Sequence, residues 1–179
     1  MADVKRTTAS SVRIEPWSED DLGLLRRANA PELMAHLGGS ETEEQLIGRH
    51  ARYVALSADR TGRGRMFRVA LAGEAEAVGT IGFWERPWRD QQVYETGWTV
   101  LPEFQGRGIA SAATRAVADA ARAERRHRYL HAYPSVENGP SNGVCRKVGF
   151  TLLGECEIEY PPGRPLLTNE WRLDLRADG

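Results

Sequence analysis

The segment Trp98-Thr99-Val100-Leu101-Pro102-Glu103-Phe104-Gln105-Gly106-Arg107-Gly108-Ile109-Ala110 joins the end of a strand, a turn marked by proline and the start of a helix. The helix is signalled by Ile109, Ala112, Ala113, Ala116, Val117 and Ala120 at helical spacing, with Arg115, Asp119 and Arg122 on the other side. The first amides of a helix lack intrahelical partners and sit at the positive end of its dipole. Gly106, Gly108 and the small Ala110 allow a diphosphate to come within hydrogen-bonding range of those amides, and Arg107 can add a charge-assisted contact. Three phosphate-binding patterns compete for the segment. A Walker loop needs a Gly-Lys-Ser/Thr ending, which is absent. A dinucleotide fingerprint needs a third glycine where Ser111 stands, and it belongs early in a βαβ unit. The third pattern, Q-x-x-G-x-A, is filled by Gln105, Gly108 and Ala110. The plain alternative is a glycine turn before a surface helix.

Upstream of this segment, Val93 to Val100 and Ala77 to Trp84 read as strands, with Glu85 to Gln91 as the loop between them. Phe67, Val69 and Leu71 alternate as another strand, joined through a hairpin turn at Gly73-Glu74. A helix over Thr42 to Ala58 presents Leu46, His50, Tyr53, Val54 and Ser57 on one face. Before it, Pro31 to Met34 opens a turn that Gly38-Gly39 breaks. Ser18 caps a helix running to Ala28, with Asp21 three residues on, and Val12 to Pro16 forms a first strand. Downstream, Tyr129 to Tyr133 is a short strand, Pro140 opens a helix that Gly149 ends, and Thr151 to Tyr160 and Thr168 to Leu175 alternate as the last strands. The order predicts one α/β domain over residues 11–176, built on a mixed, mostly antiparallel twisted sheet of about seven strands. The crossover through the long helix is expected to set two strands parallel. Residues 1–10 read as a flexible tail.

Composition removes several function classes. Lys and Arg total 24 against 25 Asp and Glu, so a net charge of -1 gives no global pull toward nucleic acid or anionic membrane. The run Arg122, Arg125, Arg126, Arg128 at a helix end reads as a solvated face complementing the dipole; the rival reading is a nucleic-acid contact. No apolar run approaches the roughly 20 residues of a membrane span. Two cysteines, Cys145 and Cys156, form no disulfide framework and no metal pattern, and cytoplasmic location is the expectation.

With a second block, Glu137-Asn138-Gly139-Pro140-Ser141-Asn142 followed by Lys147-Val148-Gly149-Phe150, the sequence resembles the GNAT superfamily of acyl-CoA N-acyltransferases. It is most similar to the branch of ribosomal-protein N-terminal acetyltransferases. The resemblance implies helices on both faces of the sheet and central strands that splay apart. It implies acetyl-CoA as co-substrate, with no metal, and its pyrophosphate on the amides from Gln105 to Ala110. The pantetheine arm is expected to run beside Trp98, Thr99 and Val100, and Asn138 to touch that arm, a role compatible with helix N-capping. An amine acceptor and a homodimer are implied as partners.

Transfer to an amine needs a base, an oxyanion donor and a proton for the departing thiolate. The resemblance makes Ser141 the candidate acid, with a plain helix-start serine as the alternative. Cys145 stands where many superfamily members carry a tyrosine; it reads as a small core residue, with thiol donation as the rival. Glu95 is the leading base. It lies three residues before Trp98, roughly 10 Å along a strand, on a segment otherwise mostly apolar. Glu157 and Glu159 are weaker candidates, because Tyr160 occupies the position where the branch has an acid. His36 lies where the family builds its acceptor wall, His131 reads as structural, and Trp84, Trp88 and Trp98 divide between acceptor pocket and core. The expected function is acetyl transfer from acetyl-CoA to a primary amine of a small molecule or a protein N-terminus. A non-catalytic acetyl-CoA sensor is the alternative.

Overall fold

The computed structural model describes residues 11–177, so the tail expected at residues 1–10 lies outside the described residues. The chain runs β1 (Val12–Pro16), α1 (Leu22–Ala28), α2 (Pro31–Met34), α3 (Glu43–Ala58), β2 (Gly64–Leu71), β3 (Gly79–Trp88), β4 (Gln91–Val100), α4 (Ile109–Glu124), β5 (Tyr129–Ala132), α5 (Gly139–Val148), β6 (Thr151–Glu159) and β7 (Pro165–Asp174). The seven strands form one sheet in the order β1-β2-β3-β4-β5-β7-β6. Every neighbouring pair is antiparallel except β4 and β5, which the α4 crossover leaves parallel.

Alternation along β2 assigns its two faces. Phe67, Val69 and Leu71 join Ile109, Ala113 and Val117 of α4 in one apolar cluster, whereas Met66 joins Leu25 of α1 and Leu46 of α3 in another. Helices therefore cover both faces. The buried stripe of α4 is Ile109, Ala113, Val117 and Ala121, with Thr114 and Ala118 beside it; Ala112, Ala116 and Ala120 are half-buried. The sequence places those three alanines in the core because alanines on every side blur the helical period. Each fully buried aliphatic such as Val117 contributes about 1.5–3 kcal/mol relative to exposure.

Helix starts follow the residues expected to cap them. Ser18 and Asp21 form a reciprocal capping box, with Ser18 N donating to Asp21 Oδ2 at 2.8 Å, although the first turn, Glu19–Asp21, is a 3-10 helix. Thr42 and Gln45 form a second box at the start of α3. The segment Glu85 to Gln91 is not a loop. β3 continues to Trp88 and pairs residue by residue with β4, and Arg89 and Asp90 alone make the turn, at φ 45° and 66°. Two successive left-handed residues match the twist of a two-residue hairpin. Pro87 fits in this strand because β2 has already ended opposite Trp84, leaving that side of β3 unpaired.

Candidate active site

Where α4 begins, the chain presents bare backbone. Gly106 and Gly108 adopt φ 73° and 78°, and a Cβ at either position would meet nothing within 4 Å. Gly108 occupies the N-cap position without a side-chain cap. The first intrahelical bond runs from Ala112 N to Gly108 O at 3.1 Å, so the amides of Ile109, Ala110 and Ser111 precede it and have no side-chain cap. Gln105 has a different task. Its backbone N–H bonds to Pro102 O at 3.3 Å and its side-chain amide donates to Val100 O at 3.0 Å, so it braces the turn against the end of β4. The Arg107 guanidinium lies over the Phe104 ring at 5.8 Å.

This mouth opens beside a gap in the sheet. β4 and β5 share only the rungs Tyr94↔Leu130 and Glu95↔His131. β4 then continues to Val100 against β3 alone, while β5 ends at Ala132. Trp98, Thr99 and Val100 thus lie on a strand whose β5 side is unladdered. Trp98 packs on the α4 cluster, on the face of the sheet opposite Glu95.

Across the gap stands the start of α5. Asn138 is its N-cap, and Asn138 Oδ1 accepts from Ser141 N at 3.2 Å. Ser141 is half-buried in the first turn, and its amide rather than its hydroxyl uses the cap. The loop is pinned by Asn142, a residue to which the sequence reading assigns no role. Its Nδ2 donates to Ser135 O (3.0 Å) and Asn138 O (2.8 Å), and its Oδ1 accepts from Asn169 (2.9 Å) and the Trp171 indole (2.8 Å). Cys145 is fully buried in the apolar cluster, where burial pushes its thiol up to about 12. It is core, as expected.

The other face of β4 carries the ionisable groups. Glu95 Oε2 accepts from Arg86 at 2.7 Å and from the Trp84 indole at 3.1 Å. The strand is therefore less apolar around Glu95 than the sequence suggests. The two donors sit across the β3–β4 ladder, Trp84 directly opposite Glu95. His131, the β5 partner of Glu95, is buried and shares a 3.0 Å hydrogen bond through Nδ1 with Tyr133. Burial, and then Arg172, Arg86 and Arg89, hold its imidazole down to about 4, so it is neutral at physiological pH. Burial also pushes the Tyr133 phenol up. Glu170 accepts from the Trp88 indole at 2.8 Å and pairs with Arg89 at 3.3 Å. Of the three tryptophans considered, Trp84 and Trp88 hold carboxylates and Trp98 packs.

A cleft of about 180 Å³ is lined by His36, Gly38, Ser135, Glu137, Tyr160 and Arg164 among others. It brings His36 next to the β6–β7 connection and the loop before Asn138. Its volume is below the roughly 300–1,000 Å³ of ordinary small-molecule pockets, so it suits a small group. Glu157 is exposed on the edge strand and Glu159 accepts from Gly163 N at 3.2 Å. A larger groove of about 430 Å³ lies between β1, β2 and the chain around α1. Its ions are paired internally, Arg68 with Glu15 (3.2 Å) and Asp21 (3.4 Å), and Arg27 with Glu76 (3.0 Å). Three of the four arginines at the end of α4 are likewise paired, Arg122 with Asp119, Arg126 with Glu85 and Arg128 with Asp174. That pairing favours the solvated-face reading. Among the described residues no helix is long and apolar enough to cross a membrane, and no cluster of metal-ligating side chains occurs.

Known proteins match this arrangement. The chain is 31% identical over 105 residues to the uncharacterized N-acetyltransferase YnaD of Bacillus subtilis (strain 168), an alignment covering 59% of this chain and 58% of that relative's length. It shares its fold with the spermidine N-acetyltransferase of Vibrio cholerae in complex with CoA and spermine, at 18% identity and TM-score 0.73 over 93% of this chain and 96% of that one. The acetyl transfer enzyme of Salmonella typhimurium that modifies the N-terminal serine of ribosomal protein L7/L12 is alike to the same degree, 18% identity and TM-score 0.73 over 94% and 98%. A family model described as an acetyltransferase (GNAT) domain matches residues 11–151, the span that contains both helix mouths and the parted strands, and the chain belongs to that family.

Proposed function

We propose that the protein is an acetyl-CoA-dependent N-acetyltransferase that acetylates a primary amine by direct attack in a ternary complex. The observation that carries this reading is the uncapped start of α4 opening at the point where β4 and β5 part. The amides of Ile109, Ala110 and Ser111, with the glycines before them, suit a diphosphate. The unladdered length of β4 suits an extended arm, with Thr99 and its neighbours as backbone partners. Structures that share the fold hold CoA with a polyamine, or belong to an enzyme of a protein N-terminus, so both acceptor classes are compatible with the scaffold.

In the proposed reaction the amine nitrogen bonds to the thioester carbonyl carbon and the carbon–sulfur bond breaks. Glu95 takes the proton lost by the ammonium before attack, directly or through water; the second proton, shed by the nitrogen as the amide forms, passes to the departing sulfur, whose thiolate the Ser141 hydroxyl hydrogen-bonds. Holding both reactants in one geometry supplies much of the rate gain, so no covalent enzyme intermediate is required. Buried Cys145, with its thiol pushed up to about 12, is a poor nucleophile and leaves the covalent route without support. The same burial leaves the site without the tyrosine-like acid of many relatives, which is the observation favouring a sensor that binds acetyl-CoA without turnover. Thiol release from acetyl-CoA over an amine panel separates the two. Calorimetric binding of CoA with no thiol release for any amine would reject the enzymatic reading.

A further inference from the structure

Two carboxylates on the face of the sheet away from α4 are held by the same pair of residue types, and only one of them is left open. Strand β3 sets Trp84, Arg86 and Trp88 on one face, and Arg89 follows at the turn. Trp84 and Arg86 donate to Glu95, whereas Trp88 donates to Glu170 at 2.8 Å and Arg89 pairs with it at 3.3 Å. Glu170 uses both oxygens. Its Oε1 takes the indole and lies 3.7 Å from His131 Nδ1, its Oε2 takes Arg89, and its side chain is 4% exposed. At Glu95 both donors converge on Oε2. A carboxylate oxygen offers about two lone pairs, so Oε2 is filled. Oε1 accepts no hydrogen bond among the described residues and is not sealed from solvent, on a side chain that is 16% exposed.

Arg86 is itself immobilised. Its guanidinium lies 5.2 Å from the Trp88 ring and 4.7 Å from the Tyr133 ring. Those rings pack against each other at 5.0 Å, with Trp88 anchored by Glu170 and Tyr133 sharing a 3.0 Å hydrogen bond with His131. The hydrogen bond to Glu95 is end-on, one nitrogen to one oxygen, whereas a bidentate fork would occupy both oxygens. Arg86 stands opposite Val93 in the β3–β4 ladder, which makes it a diagonal neighbour of Glu95. It therefore reaches Oε2 from the side, while Trp84 reaches the same oxygen from directly across.

We propose that Arg86 is the positioning residue of Glu95: it pins Oε2, so that Oε1, with its lone pairs free, is the atom that takes the acceptor's proton directly or through water. The claim rests on the acetyl-transfer reading with Glu95 as base, and adds what keeps that base aimed. A carboxylate released from Arg86 turns about its terminal bond, where the torsional wells are broad. A misplacement of about 1 Å can cost about a hundredfold in rate. In this step Oε1 gains the proton, and the guanidinium keeps its own.

The test is a double-mutant cycle of Arg86 with Glu95. It is read as kcat and KM from thiol release at saturating acetyl-CoA, with the fastest amine of a panel holding spermidine, alaninamide and a seryl-alanine peptide. Arg86→Met is expected to lower kcat by at least about tenfold, with KM for the amine and CoA affinity by calorimetry within about twofold. In the Glu95→Gln background the same substitution is expected to change kcat by less than about twofold, because no base remains to aim. A role in the fold alone would not move with the residue at position 95. An unchanged kcat in Arg86→Met, an equal loss in both backgrounds, or a loss confined to KM overturns the assignment. Melting temperature and CoA binding show whether each variant folds. Where Arg86→Met does not, Arg86→Lys runs the same cycle. It keeps the charge and loses the planar fit between the rings, and its smaller loss of kcat should again vanish beside Glu95→Gln. The two levels of failure read differently. Full activity in Glu95→Gln removes the base, and the assignment with it, while acetyl transfer stands. No thiol release from any amine rejects the transfer reading itself, and the positioning role falls with it.

Discussion

Two helices begin on either side of the parted strands, and they treat their exposed amides in opposite ways. At α5 the Asn138 side chain caps Ser141 N, and Asn142 ties the preceding loop down through Asn138 O and Ser135 O. At α4 the capping position is Gly108, in a left-handed conformation, with no side chain to offer. The dipoles are alike in kind, so the difference in ligand capacity comes from the cap residue. A helix mouth closed by its own asparagine has spent the donors that an anion needs. One left to glycine keeps them, at a cost in local order that a bound diphosphate offsets.

The largest effect should come from closing the open mouth. Gly108→Glu sets a carboxylate against the amides of α4, and CoA affinity is expected to fall by at least about a hundredfold, measured by calorimetry. Because φ there is 78°, any side chain adds strain, so Gly108→Ala is the control. It should cost stability and far less affinity. Equal losses in both variants would mean that conformation, not charge, governs the mouth. The next effect belongs to the space between the helices. Glu95→Gln keeps the shape that accepts from Arg86 and Trp84 but removes the base, and kcat is expected to fall about a hundredfold with CoA affinity within about twofold. An unchanged pH–rate profile would remove Glu95 from the chemistry.

The same contrast explains what the sequence could show. The α4 mouth is local: two glycines before an apolar helical period require left-handed backbone and an uncapped start, and nothing distant alters that. The seven strands are similarly legible wherever alternation is strong, as in Phe67, Val69 and Leu71. The Arg89-Asp90 turn was hidden because positive φ at two charged residues carries none of the usual Asn-Gly signal, so Glu85 to Gln91 reads as a loop. The partners of Glu95 were hidden for a different reason. Trp84 and Arg86 meet it only through the β3–β4 register, which that misread turn sets. Asn142 draws Asn169 and Trp171 from β7 only when the last strands close against the loop before α5. Side chains whose work spans three elements leave no periodic mark.

Ser141→Ala sharpens the α5 side of the comparison. The cap uses the Ser141 amide, which alanine retains, so α5 should stay intact and the melting temperature should move little. Loss of the hydroxyl is expected to slow the transfer step by about tenfold in single-turnover thiol release, in line with one lost hydrogen bond to a developing charge. A rate equal to wild type would leave the thiolate to backbone donors or solvent.

The smallest effect is the most diagnostic of why the two mouths differ. Asn138→Ala removes the cap and should cost about 1 kcal/mol, a few degrees in melting temperature for a chain of this size. Asn138→Asp keeps an acceptor at the same place and adds charge favourable to the dipole, so it should restore the stability. If Asn138 only closes α5, CoA affinity will follow neither change. If it also touches the cofactor arm, as the family resemblance implies, affinity will drop in the alanine variant and, because Asp offers no amide N–H, will not recover in the aspartate variant. Stability that recovers while affinity does not would assign both roles to one side chain, its oxygen to the helix and its nitrogen to the ligand.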